Sequence, residues 1–311
     1  MAIISQLTIY PVKSCAGLTL TEAVIGLAGL ETPHRQSDGA QSVADREWMI
    51  VTAAGDFLTQ REHPRMALIV PSVVSGALRL AAPGMPDLAI PLSDFALRTS
   101  GSRVRIWDDN CAAFDEGDVA REWLSDYLNT PARLARFDPV HERWSSQERT
   151  GAVRALNRFS DGYPLLIISE ASLRQLNERF QQAGREPLPM NRFRPNIVIK
   201  GVEAHDEDRF AALRILTDST VRDGTNAAAG TNLAKPKATV AVELRPVKAC
   251  PRCPIPSIDQ AAGTRGPDPL DILAQYRGSA DGILFGQNAI VVSGFGALLQ
   301  TGQRLQEEWN F

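Results

Sequence analysis

Short apolar runs, with proline and glycine punctuation between them, recur along the whole chain and restrict it to a fold of many short strands. Ile3 to Tyr10, Glu47 to Thr52, Arg65 to Pro71, Leu78 to Leu80, Leu88 to Leu92 and Val104 to Trp107 all read this way, with a turn at Ala54-Gly55-Asp56. The clearest strand is Val240 to Arg245, where Val240, Val242 and Leu244 alternate with Ala241, Glu243 and Arg245. It runs into Pro246 and a corner, Cys250-Pro251-Arg252-Cys253, that Pro251 and Pro254 stiffen by fixing φ and removing two backbone donors. Thiols held at a defined exit from a strand suit a metal ligand or a nucleophile.

Helical patterning is confined to a few places. Asp118 caps a helix with Val119, Trp123, Tyr127 and Leu128 on one stripe, and Ser169 caps another with Leu173, Leu176 and Phe180 inward. A short third helix starts at Asp268-Pro269, with Leu270, Leu273 and Tyr276 on one side. Pro164 to Ile168 and Ile197 to Ile199 read as buried strands, and Ala289 to Ser293 as the last one. The polar, aperiodic Pro139 to Arg154 marks a domain boundary or a mobile loop, and Thr217 to Thr239 a flexible loop or insertion. A chain of 311 residues has room for two domains, or one large β-rich unit with insertions.

Charge and cysteine content exclude several function classes. A net charge of −3 offers no basic field for a nucleic acid. No apolar run reaches the roughly eighteen residues of a membrane span, and residues 1–14 lack the pattern of a signal peptide, so a cytoplasmic location is expected. Cys15, Cys111, Cys250 and Cys253 are too few for a disulfide framework. His34, His63, His141 and His205 stand singly, which disfavours zinc, and the prolines around the C-x-x-C oppose the helix of a thioredoxin-like dithiol.

Four local patterns have the chemistry of a ligand rim. Lys13 and Ser14 follow a strand, as an anion grip or as a solvated turn. Arg46, Arg61 and Arg65 sit near strand ends, as a phosphate clamp or as scattered surface charge. Asp161 precedes a buried strand, as a turn former or a functional carboxylate. Asn191-Arg192-Phe193-Arg194-Pro195-Asn196 abuts Ile197, and charged groups seldom lie beside a core strand without a partner.

Taken in order, YPVKSCAG, ADREWMIV, LTQREHPRM, DGYPLLIISEASL, RFRPNIVI, VKACPRC and LFGQN resemble the MOSC proteins that carry a MOSC N-terminal β-barrel domain, whose best known members are the mitochondrial amidoxime-reducing components and their bacterial relatives. The resemblance runs from about Ile3 to about Leu305. It implies a mainly β (α+β) fold of two barrel-like lobes with a few short helices, divided as a MOSC N-terminal domain over 1–138 and a MOSC molybdenum-cofactor domain over 139–311. It implies the molybdenum cofactor (molybdopterin), with Cys253 as metal ligand and catalytic residue. Lys13, Ser14, Arg46, Arg194 and Asn196 would then contact the pterin phosphate, with Arg252 beside the metal ligand, and Asp161 would stand near the metal to orient substrate or move protons. Cys250 would be a packed apolar residue.

The implied activity is reduction of N-hydroxylated compounds (amidoximes, hydroxylamines, N-hydroxylated bases), the oxygen being abstracted at a cysteine-ligated molybdenum. No cysteine follows Cys253, so no fused plant-type iron–sulfur domain is expected, and the electrons would come from a separate iron–sulfur or cytochrome b5-like protein with its reductase. The alternative is a molybdenum-cofactor carrier or sulfur-transfer protein without reductase turnover. A pyridoxal-phosphate activity, a third reading within the family, would need a Schiff-base lysine, for which neither Lys200 nor Lys248 has a recognisable context. Three features depart from the family pattern: Gly162 and Tyr163 replace hydroxyl-bearing residues, Pro251 replaces a backbone donor, and the 217–239 loop is long.

Overall fold

A computed structural model of the chain describes residues 1–33, 41–74, 76–93, 101–217 and 239–310. Except for its two end residues, the 217–239 loop lies outside them. The fold is mainly β. A large mixed sheet runs in the order Leu18–Leu20, Ile3–Ile9, Ile197–Lys200, Leu165–Ser169, Gly282–Ser293, Thr239–Pro251, Phe210–Thr217, Leu305–Trp309, with Gly278–Ser279 paired to the end of Gly282–Ser293. Strands from both ends of the chain therefore share one sheet. A four-stranded sheet (Trp48–Val51, Arg133–Phe137, Asp109–Asp115, Ser102–Ile106) lies next to it in the chain's path, along with smaller hairpins. Among the described residues no helix is long and apolar enough to cross a membrane.

The uninterrupted apolar run Leu165-Leu166-Ile167-Ile168 is explained by burial on both faces, which removes the usual alternation. Leu165 and Ile167 join the main core with Ile4, Leu7, Ile197, Leu244 and Val291. Leu166 and Ile168 join a second core with Phe180, Phe193 and Phe285, beneath the helices Glu170–Gln182 and Leu270–Arg277. Ser169 ends the strand and caps the helix as read, accepting a hydrogen bond from the Ser172 amide at 3.0 Å. The chain then returns through residues 183–196 to lay Ile197–Lys200 parallel to Leu165–Ser169. Both strand beginnings thus lie at one end of the sheet, where the antiparallel Ile3–Ile9 exits. This end is where the site forms.

Several expectations need correction. Arg65 to Pro71 is not one strand: Pro64 starts a 3-10 turn, Pro64–Leu68, that buries Met66 and Ala67, and the strand is Val70–Val74. The Thr239–Pro251 strand does not stop at Pro246, because a bulge between Pro246 and Lys248 absorbs the missing donor. The first helix is Asp118–Leu128 with Gly117, at φ 91°, in the cap position, so Asp118 is already helical and caps nothing. Its rotation buries Ala120, Trp123, Leu124 and Tyr127 and leaves Val119 exposed. Residues 139–154 are not simply a boundary: Arg143–Trp144 pairs with Leu156–Asn157, and Gln147–Thr150 forms a helical turn. The final strands are also longer and more numerous than read, with Gly282–Ser293 followed by Leu298–Gln300 and Leu305–Trp309.

Candidate functional site

Strand exits carry the site. Ile3–Ile9 leads to Lys13 and Ser14, the turn before Trp48–Val51 carries Arg46, and the loop before Ile197 carries Arg194 and Asn196. The corner after Thr239–Pro251 folds back onto that loop, where the Arg252 guanidinium donates to the Phe193 carbonyl at 2.9 Å. Among the described residues six non-glycine residues have positive φ, and four of them, Ser14 (65°), Arg46 (49°), Trp107 (54°) and Arg194 (56°), line one cavity of about 250 Å³. Strained backbone of this kind persists where the surroundings impose it and gathers at functional sites. All eight residues predicted for the site, Lys13, Ser14, Arg46, Asp161, Arg194, Asn196, Arg252 and Cys253, lie in the wall of this cavity.

The cavity is strongly cationic, since Lys13, Arg46, Arg61, Arg194, Lys248 and Arg252 face a single carboxylate, Asp161. Arg46 and Arg194 both lie against the buried Tyr10 ring, at 4.4 and 4.1 Å from its centre. Burial pushes the Tyr10 phenol up to about 12, so it stays neutral, and its hydroxyl donates to the Pro195 carbonyl at 3.3 Å. Burial also lowers the Arg194 guanidinium to about 10, eased by Tyr10 and worsened by Arg46, and among the described residues its one protein acceptor is the Cys15 carbonyl at 2.6 Å. Arg46 is held by Asp45 at 2.5 Å and by the Asn196 side-chain oxygen at 3.2 Å. Asn196 has little left to give a ligand: the same oxygen accepts from the Leu166 amide and its nitrogen donates to the Thr8 carbonyl. Its place in the geometry is to aim Arg46.

Asp161 sits on a clamped loop. The buried Arg143 donates to the carbonyls of Arg158 at 2.9 Å and Ser160 at 2.7 Å, and Asn157 donates to that of Gly162 at 2.9 Å. Oδ1 of Asp161 takes Lys13 Nζ at 2.5 Å and the Trp107 indole N–H at 3.1 Å, while Oδ2 has no partner among the described residues. The side chain is 69% accessible, but that surface opens into the cavity. The surrounding walls alone would raise its pKa, and the Lys13 charge and hydrogen bond, the Trp107 bond and Arg46 outweigh them, holding the carboxyl well below the usual range. Burial lowers Lys13 in turn, and Asp161 opposes that shift. With folded pKa below unfolded, the stabilisation from the Asp161 charge is complete above the ordinary carboxylate range and is lost only at strongly acid pH.

Cys253 is half-buried in the cavity wall, with no protein partner among the described residues. Cys250 also borders the cavity, accepts from Arg252 at 3.2 Å and packs against the core around Phe193 and Phe285. Among the described residues no three His, Cys, Asp or Glu side chains converge as a metal cage. A metal bound to Cys253 and otherwise held by a non-protein chelator is compatible with this wall. The guanidiniums of Arg46 and Arg194 in the same wall suit an anion carried by that chelator. One soft thiolate beside an anion grip is the donor set a pterin-dithiolene molybdenum group requires, so the residues fit it.

Of the arginines read as a possible clamp, Arg46 and Arg61 reach the cavity, and Arg65 instead lies over Tyr127 at 4.4 Å. Sequence reasoning missed Tyr10, Trp107, Phe57, Lys248 and Arg143. A tryptophan followed by two aspartates in a hairpin turn was the one legible signal among these.

Residues 1–131 match the family model described as the MOSC N-terminal beta barrel domain, and residues 156–306 match the one described as the MOSC domain. The chain is 32% identical over 289 residues to mitochondrial amidoxime-reducing component 1 of Xenopus laevis, covering 90% of this chain and 72% of that protein. It is 29% identical to mitochondrial amidoxime-reducing component 1 of Homo sapiens, over 88% of this chain and 72% of that one. Molybdenum cofactor sulfurase of Homo sapiens is 27% identical over 68% of this chain and 24% of its own length.

Proposed function

Because the chain belongs to the MOSC family, in the form that carries a MOSC N-terminal β-barrel domain, we propose that it is a molybdenum-cofactor oxidoreductase that reduces N-hydroxylated compounds. The observation that carries the reading is a thiol, Cys253, with no protein partner among the described residues, set in one cavity wall with an anion grip and the Lys13-paired carboxylate of Asp161. A molybdenum cofactor held there would supply a two-electron redox centre for N–OH reduction, chemistry beyond any side chain. Cys253 would ligate its metal. Ser14, Arg46 and Arg194 would hold its phosphate, with Lys13 giving a further donor besides the one spent on Asp161. Asp161, through Oδ2, would orient the N–OH group. The net reaction consumes two electrons and two protons and yields the N–H compound and water. We assign 1–138 to the N-terminal β-barrel module and 139–311 to the cofactor module, a division supported by matches at 1–131 and 156–306.

The test is molybdenum analysis of protein made in a cofactor-competent host, followed by benzamidoxime reduction driven by reduced viologen. The likeness to a molybdenum cofactor sulfurase favours the second reading, a carrier or sulfur-transfer protein, and full molybdenum occupancy without turnover would select it.

Two expected outcomes follow from the site. Lys13, Trp107 and Arg46 together hold the Asp161 carboxyl well below the usual carboxylate range, so between pH 5 and 8 we assign it the role of orienting substrate and not of donating protons. Asp161→Asn should lower kcat/KM by roughly 10²-fold, the cost of a misplaced reacting group, without changing the shape of the profile over that range. A wild-type acid limb that disappears in the variant would contradict this. The second concerns electrons. A plant-type [2Fe–2S] cluster needs four cysteines, and of the four here Cys15 and Cys111 are buried while Cys253 serves the site. Nor does the sequence contain a G-x-G-x-x-G fingerprint. NADH with this polypeptide as the only protein should give no turnover, whereas reduced viologen should; steady NADH consumption coupled to amidoxime loss would be the contrary result.

A further inference from the structure

Trp107 occupies a place that the cofactor and the chemistry leave unexplained. It is the first residue of a two-residue turn between the paired Ile106 and Asp109, at φ 54°, where Asn or Gly would be at ease and a bulky indole is strained. It is also 43% exposed, among the largest apolar side chains left open. Nothing in the core requires it there. Yet three contacts from two separate segments fix its orientation: Phe57 meets it edge-on at 5.0 Å and the Arg61 guanidinium lies over the ring at 4.9 Å, both from the loop after Trp48–Val51, and its N–H binds Asp161 Oδ1. Arg143, which holds the Asp161 loop, also binds Asp109 at 2.7 Å and so ties the turn to that loop. Strain and exposure kept in one orientation, in the wall of a reaction cavity, mark a surface made for contact with a ligand.

We propose that Trp107, backed by Phe57, is the platform on which a planar aromatic substrate stacks, and that it gives the site a preference for aromatic over small aliphatic N-hydroxylated compounds. A ring against the indole would set its N–OH substituent toward Asp161 Oδ2, the oxygen with no protein partner among the described residues. The inference deepens the reading of the site as a reductase, and binding without turnover separates the two.

Calorimetric titration of the cofactor-loaded protein, with no reductant present, gives dissociation constants for benzamidoxime and for acetamidoxime. Trp107→Asn keeps a residue at home in the left-handed turn and removes the ring. It should weaken benzamidoxime roughly 3- to 10-fold, the worth of one aromatic pair, and acetamidoxime less than about 2-fold. Trp107→Phe keeps a ring but loses the bond to Asp161, and should bind benzamidoxime within about 3-fold of wild type. If Trp107→Asn weakens both ligands equally, or neither, the platform is refuted. Viologen-driven turnover of wild-type protein in the same preparations reports on the reductase reading alone.

Discussion

Cys253→Ser is expected to lower viologen-driven benzamidoxime reduction by at least roughly 100-fold, the upper range for residues that only support a metal ligand, while leaving the fold intact. The expectation rests on hardness and on position. A serine hydroxyl in place of a soft thiolate changes the donor presented to the metal, whereas the side chain it replaces belongs to none of the hydrophobic clusters and takes no hydrogen bond among the described residues. The melting temperature should therefore hardly move. Cys250→Ser is the necessary comparison, because it alters a thiol two residues from Arg252 and on the same cavity. Its sulfur packs against the Phe193–Phe285 core and accepts from Arg252, so serine there should cost some stability and only a few-fold in rate. Equal loss of activity in the two variants, at equal molybdenum content, would transfer the ligand role away from Cys253.

What the sequence made legible about this site, and what it hid, follows from the range of the interactions involved. Ser169 as a cap and Pro164 to Ile168 as a buried strand depend on neighbours within four residues or on an uninterrupted apolar run; the cap forms as read, and the strand forms one residue further on, as Leu165–Ser169. Lys13, Arg46, Asp161, Arg194 and Cys253 were found as isolated fragments, each open to an ordinary explanation. They meet only because strands from both ends of the chain enter one sheet. Nothing local announces such pairing. The misses have the same origin. Tyr10 is an ordinary strand-end tyrosine until Arg46 and Arg194 close on it from 36 and 184 residues away. Arg143 sits in a stretch with no periodicity, and its work is done on carbonyls 15 and 17 residues on. Pro246 misled by its usual meaning, since a bulge can carry a strand through a proline when that strand gains an extra residue, here Val247 between the pairs Pro246–Ala289 and Lys248–Asn288.

Arg194→Ala is expected to weaken retention of the cofactor by roughly 10- to 100-fold, the worth of a charge-assisted hydrogen bond to a buried anion, with Lys13→Ala less severe because part of that ammonium is already committed to Asp161. The effect on the protein without cofactor should be small, and the sign can be worked out. Burial lowers the Arg194 guanidinium from its usual value to about 10, so its charged form is less favourable folded than unfolded, and it detracts from stability at every pH below that value. Its removal relieves that burden while costing the bond to the Cys15 carbonyl and the contact with Tyr10, two effects of opposite sign. An anion reverses the balance, since a negative charge beside Arg194 and Arg46 restores the preference for the charged form. Inorganic phosphate should accordingly raise the melting temperature of the cofactor-free wild type and have much less effect on Arg194→Ala. Should phosphate stabilise both proteins alike, or should the variant retain as much molybdenum as wild type through purification, the anion must be held elsewhere in the cavity, with Arg252, Lys248 and Arg61 the remaining cations in its wall.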